Sequence, residues 1–389
     1  MTEQAPPNAG ETSPIVRSVD SFTNPKDEAN PLNYPGERPK TSYLTDGSSV
    51  FPLELITHEG SVQFVVRSET GVKPINEVLA ELGVEALENR YPITSYGANV
   101  SPVALRKKLT ATTPAGDPND TANIVKVPVR PDLLVVPTVY GNLHGYDVVW
   151  HGEPGQKGNY FAELYKGPET TDTKVSAAVS FLTAEQLLIL HATEAAYDLG
   201  IAGRISLENG ITIPAMRYVG TGTVLLENGH PVAVAGISAD NRQLRPMTSA
   251  ETLTHVLELP EVNQALQAEV DDFKEVTPDV ENYIAAADKR DLDGRKALQK
   301  VVAGVLSQLG LLKQISDLDA SDTRILSRAN PSTLPTLADI RSGNIVKPDA
   351  LIRMPEQETI GLINSTKRAI VLRALRRHHH NLRAKQAAK

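Results

Sequence analysis

Between Val50 and Val234 the chain reads as one short β-like run after another, broken by tight turns and by one strongly capped helix, whereas after Pro246 the period becomes helical. A sequence patterned this way has to bury sheet faces and helix faces against each other, which points to an α+β fold with a largely antiparallel sheet or barrel. Val62, Phe64 and Val66 alternate within Val50 to Arg67, enough for one or two strands. Tyr160 to Tyr165 and Lys174 to Leu182 read as two more, and Val125 to Val139 and Gly145 to Trp150 as strands on either side of a turn at Tyr140-Gly141-Asn142. Asn209-Gly210 and Asn228-Gly229 sit between apolar runs, the composition of two-residue hairpin turns whose central residues need positive φ.

Helix signals punctuate this pattern. Lys73 to Asn89 places Ile75, Val78, Leu79 and Leu82 on one face, and Thr183 with Gln186 forms a capping box before Leu187, Leu188, Ile189 and Leu190. A second box, Thr248 with Glu251, opens a helical region continued by Val262 to Phe273, Val280 to Ala287 and Arg295 to Lys313. The expected organisation is a disordered Pro-rich arm over 1–45, a barrel domain over 46–246, helices over 247–325, and a loop with a basic helix over 326–389.

Composition narrows the chemistry. With no cysteine among 389 residues, thiol catalysis, disulfides and cysteine-bound metals are excluded. No apolar run approaches the ~20 residues that span a bilayer and no signal-peptide pattern opens the chain, so the expectation is a cytoplasmic protein. Net charge is −8, but the stretch from Thr359 to Lys389 holds eight basic residues and no acid, leaving −16 on the rest. That basic helix, with Ile370, Val371, Leu372 and Leu375 among its arginines, could meet an acidic protein or nucleic acid, or dock on the acidic body of its own chain. It has no aromatic residue for base stacking.

Two places could carry chemistry. Tyr91 to Ser95 begins as a strand and breaks into Tyr96-Gly97-Ala98-Asn99, a small-residue turn whose backbone N–H groups could approach an anion. Ser101-Pro102 then opens a helix, with Arg106, Lys107 and Lys108 expected to stay mostly solvated. Further along, Leu187, Leu190, His191 and Glu194 share one helical face, so Glu194 is expected to be a buried carboxyl at the negative end of a helix. Both conditions disfavour its ionised form, as suits a general base for an amine. The plainer alternatives are an ordinary connecting turn and an acid at a fraying helix end. His191 with Glu194 could offer two metal ligands, but no third is evident, and a core histidine fits as well.

In order and spacing these segments resemble the gamma-glutamyl cyclotransferase-like proteins over about Tyr91 to Tyr218. Tyr96-Gly97-Ala98-Asn99 is similar to their Tyr-Gly-Ser-Asn turn, Leu143-His144-Gly145-Tyr146-Asp147-Val148-Val149 to their Leu-x-Gly-Tyr/Phe strand, and Leu182 to Glu194 to the helix that ends in their catalytic glutamate. The resemblance implies a mixed β-barrel with flanking helices. It also implies that Tyr96, Gly97, Ala98 and Asn99 hold the α-carboxylate of a gamma-glutamyl or other amine-bearing small molecule, while Glu194 takes a proton from its α-amine. Closure to 5-oxoproline would release an amine or amino acid with no cofactor. Ala98 stands where the family has serine, Ala195 where a glycine commonly follows the glutamate, and the helical C-terminal region has no counterpart in the small enzymes. The competing reading is a non-catalytic binding or scaffold module that keeps the pocket and meets partners through its C-terminal helices.

Overall fold

The computed structural model describes residues 16–22, 32–58, 61–110, 130–155, 158–194, 197–207, 212–220, 222–314, 324–326 and 334–342. The basic C-terminal helix and the Asn209-Gly210 turn lie outside them. The fold is α+β, as patterned. Strand Lys174–Leu182 runs through its middle, pairing antiparallel with Tyr91–Ser95 on one side and with Val136–His144 on the other. Val136–His144 pairs with Tyr197–Leu207, which pairs with Thr212–Gly220.

The expected barrel does not close. Thr212–Gly220 meets Tyr91–Ser95 through one parallel residue pair, Arg217 with Thr94. Each of these two strands carries a proline, Pro92 or Pro214, with no N–H to give a ladder. On the far side the sheet runs on as an open flap through Tyr43–Thr45, Ser49–His58, Ser61–Ser68 and Gly71–Pro74. A smaller sheet pairs Asp147–Trp150 with Ala162–Tyr165 and with Ala233, and it positions part of the site.

Helices Ser249–Leu257, Pro260–Glu269, Val280–Asp288 and Leu292–Gln308 follow, the first opened by the Thr248–Glu251 box in both directions. They are not a separate unit. Trp150 and Tyr160 from the sheet region share one buried cluster with Met247, Leu253, Phe273, Tyr283 and Leu298, and the chain then returns as strand Leu312–Gln314 on Thr223–Glu227.

Several local expectations change on folding. The arm over 1–45 contributes ordered structure where it is described: Val19 and Phe22 bury against Tyr43 and Val50, and the Tyr34 ring packs against Trp150, centroids 5.7 Å apart and planes tilted by 55°. Its few apolar residues suffice because the sheet supplies the opposing surface. The helix expected over Lys73 to Asn89 is confined to Ile75–Glu81, since Gly83 takes φ +68° and turns the chain out of it. Strand Val136–His144 runs straight through Tyr140-Gly141-Asn142, and the turn falls at Gly145, φ +78°. Gly141 is there because Ser206 of the neighbouring strand approaches too closely for any side chain. The last long helix ends at Gln308, before Gly310 at φ +69°. At Asn228-Gly229 both residues take positive φ, as the hairpin requires.

Candidate functional site

Three segments converge on a cavity of about 660 Å³. The first is strand Tyr91–Ser95 with the turn after it, a single 3₁₀ turn over Ala98–Val100. The chain is then carried into helix Pro102–Thr110, where the Ser101 carbonyl accepts from Leu105 N–H and Pro102 occupies the first helical position. The second is helix Ala184–Thr193. Thr183 Oγ1 accepts from Gln186 N–H, Gln186 Oε1 accepts from Thr183 N–H at 2.7 Å, and Gln186 Nε2 ties the box to the carbonyls of Leu133 and Val135. Leu187, Leu190 and His191 are buried along one face, so the next turn of that face delivers Glu194 inward, 8% exposed. The third is strand Ala162–Tyr165, which carries Glu163.

All five residues singled out in the sequence line this one cavity: Tyr96, Gly97, Ala98, Asn99 and Glu194. Asn99 Nδ2 donates to Glu194 Oε1 at 3.0 Å, so the turn and the helix end are joined directly. Lys108 forms an ion pair with the same oxygen. The expectation that Lys108 stays solvated is corrected: helix Pro102–Thr110 passes close enough to the end of Ala184–Thr193 for the ammonium to reach the carboxylate, and its side chain is 28% exposed. Glu194 is therefore buried as expected, yet it faces an amide and a cation and not an apolar wall.

Gly97 also has a more specific reason than a ligand's approach. A Cβ at this position would overlap the hydroxyl of Tyr34, which comes from the N-terminal arm. That hydroxyl accepts from Ala162 N–H at 3.3 Å and is faced by Ala98 N–H as well. Burial raises the Tyr34 phenol far above its ordinary pKa against those two backbone donors, so it is a neutral hydroxyl on the turn. Tyr96 is directed elsewhere, its hydroxyl donating to the Tyr218 carbonyl at 3.0 Å. His191 Nδ1 lies 2.7 Å from the Tyr218 hydroxyl, which makes it a core histidine. Among the described residues no cluster of three or more His, Asp or Glu side chains could hold a metal.

Glu163 was not anticipated. It is 2% exposed, lines the cavity, and lies so close over Gly220 that any Cβ there would overlap its carboxyl. Desolvation pushes its pKa up to about 8; Arg217 and the Gly220 N–H oppose the rise, and the charge of Glu194 adds to it. The one sequence sign was an acid inside a four-residue strand that is otherwise apolar or aromatic. Two buried polar atoms on the cavity wall, Thr94 Oγ1 and Asn99 Oδ1, have no hydrogen-bond partner among the described residues. Such atoms cost free energy when dry, so they mark places for a ligand's donors or for water.

No family model, no curated protein and no solved structure matches the chain.

Proposed function

We propose that this cavity binds a gamma-glutamyl amine and closes its glutamyl part to 5-oxoproline, releasing the amine. The observation that carries this reading is Glu194, buried where a helix ends and hydrogen-bonded to Asn99 of the turn that lines the same cavity. A cyclisation of this kind is intramolecular, so the protein has to position two ends of one molecule, accept a proton from the attacking nitrogen and polarise the amide. Glu194 supplies the acceptor. Asn99 and Lys108 hold its Oε1 and so fix the carboxylate's orientation. On this reading Asn99 Oδ1, buried on the cavity wall with no partner among the described residues, would accept from the substrate amine, and the backbone of Tyr96 to Asn99 would receive its α-carboxylate. Strands Tyr91–Ser95, Tyr197–Leu207 and Thr212–Gly220 give Thr94, Tyr197 and Tyr218 to the same cavity wall.

The test is 5-oxoproline release from a panel of gamma-glutamyl amines, wild type against Glu194→Gln. Product from wild type and a loss on the order of 100-fold or more in the variant are expected of a lost general base; equal rates would remove Glu194 from the chemistry. Two observations favour a second reading, a binding module without turnover: the Tyr34 hydroxyl already occupies the space over Gly97, and Lys108 already sits on Glu194. Calorimetric binding of the same amines with no product formed would select it.

A further inference from the structure

The cavity holds two carboxyl groups in different surroundings. Glu194 is 8% exposed, with the Lys108 ammonium and the Asn99 amide directly on it. Glu163 is 2% exposed, packed over Gly220 and its N–H on a strand whose Ala162 and Leu164 belong to the core, with Arg217 as the cation acting on it. We infer that Glu163 is a second catalytic group, the acid that hands its proton to the departing amine nitrogen. The inference rests on the cyclisation reading above.

The geometry gives the assignment its direction. The groups facing Glu163 are Arg217 on strand Thr212–Gly220, Glu194 at the end of helix Ala184–Thr193, Tyr96 beyond strand Tyr91–Ser95, Tyr197 on the strand after that helix, and Tyr34 from the arm. Arg217 is the one cation among them and is itself buried, with its guanidinium 5.6 Å from the Tyr146 ring. The three phenols are raised by burial, with the Glu163 charge a lesser contribution, so all three are neutral hydroxyls at working pH. Glu163 with a pKa of about 8 is then mostly a carboxylic acid at neutral pH, within the same cavity as a carboxylate paired to Lys108. A buried carboxylic acid in the same cavity as a second carboxyl that can accept a proton suits a reaction in which one nitrogen must lose a proton and another must gain one.

The step balances as follows. The substrate's α-ammonium gives one proton to solvent on entering. Its neutral nitrogen then attacks the γ-carbonyl carbon, forming the ring C–N bond, and Glu194 takes the second proton. As the bond from that carbon to the leaving nitrogen breaks, Glu163 protonates the nitrogen, so the amine departs neutral. Glu194 ends protonated and Glu163 ionised, and exchange with water restores both.

An acid of this kind matters most for a poor leaving group. The experiment compares wild type and Glu163→Gln on a gamma-glutamyl alkylamide and on gamma-glutamyl-p-nitroanilide, whose leaving nitrogen needs little help. The expected result is a fall in kcat on the order of 100-fold for the alkylamide and a change of a few-fold at most for the anilide. Wild-type kcat on the alkylamide should also lose rate above about pH 8, a limb absent with the anilide. Equal losses on both substrates would make Glu163 structural, and no loss on either would make it idle. A ¹³C titration of carboxyl resonances gives a readout independent of turnover: the resonance missing in Glu163→Gln should titrate above neutrality, and an ordinary acidic midpoint would overturn the assignment. Absence of 5-oxoproline from wild type on every substrate would overturn the cyclisation reading, and the role of Glu163 with it.

Discussion

Glu163 shows how one side chain ties stability to pH. An unfolded glutamate has lost its proton above about pH 4.5, but the folded one keeps it to about 8, so between these values the native state binds more protons than the unfolded state. Stability therefore falls as pH rises through that window and levels off beyond it. Chemical denaturation of wild type and Glu163→Gln from pH 5 to 9 should show wild type losing a few kcal/mol relative to the variant by pH 8; a constant difference would contradict the buried acid. The glycines beside the site are similarly specific. Gly220→Ala drives a Cβ into the Glu163 carboxyl, and a loss of about 1 to 3 kcal/mol in urea unfolding is expected from such overpacking. Gly97→Ala should cost a similar amount by meeting Tyr34, and Tyr34→Phe, which removes the overlapping oxygen, should recover part of it in a double-mutant cycle.

At the scale of single elements, helix Ala184–Thr193 does most to place the site. Its start is fixed by the Thr183–Gln186 box and by Gln186 reaching the carbonyls of Leu133 and Val135, which lead into strand Val136–His144, and its length of ten residues sets the direction in which Glu194 leaves it. Thr183→Ala removes one half of the cap. A loss of about 1 kcal/mol is expected, read by urea unfolding. The box, the apolar face and the position of Glu194 on it were readable from residue order because they are local patterns; the hold of Gln186 on Leu133 and Val135 was not. The partner helix Pro102–Thr110 was readable in its opening and in the inward placing of Leu105 and Leu109, but not in where its basic residues point. Which of the three consecutive basic residues reaches Glu194 depends on where the end of the other helix lies, and Lys108 is selected by that meeting, while Arg106 turns to Asp20 and the Gly47 carbonyl. Tyr34 was unreadable for a related reason: a proline-rich arm gives no periodicity, and only the turn at Gly97 and the ring of Trp150 give the side chain a seat.

For the whole molecule, the shared core is the central fact. Trp150 is the single tryptophan, is fully buried, and donates from its indole N–H to the Met247 carbonyl at 3.0 Å where sheet passes into helices. Its fluorescence should follow the same urea transition as far-UV circular dichroism, because unfolding the helices exposes the sheet's apolar surface as well. Two separated transitions would show that the helical region over 247–325 folds by itself. The helices also reach the cavity, since Gln299 lines it and donates to the Pro154 carbonyl at 2.6 Å, so helix Leu292–Gln308 closes part of the wall. No helix among the described residues is long and apolar enough to cross a membrane.

Residue order alone determined the alternation of strand and helix regions, the caps at Thr183 and Thr248 and the hairpin at Asn228-Gly229. These follow from periodicity and turn chemistry, which act over a few residues. Tertiary structure decided the rest: that the barrel stays open at the single pair Arg217 with Thr94, that Lys108 and Tyr34 occupy the site, and that Glu163 is the carboxyl whose proton is held to high pH. Desolvation and charge act through space between residues far apart in the chain, and no local pattern encodes the distance between them.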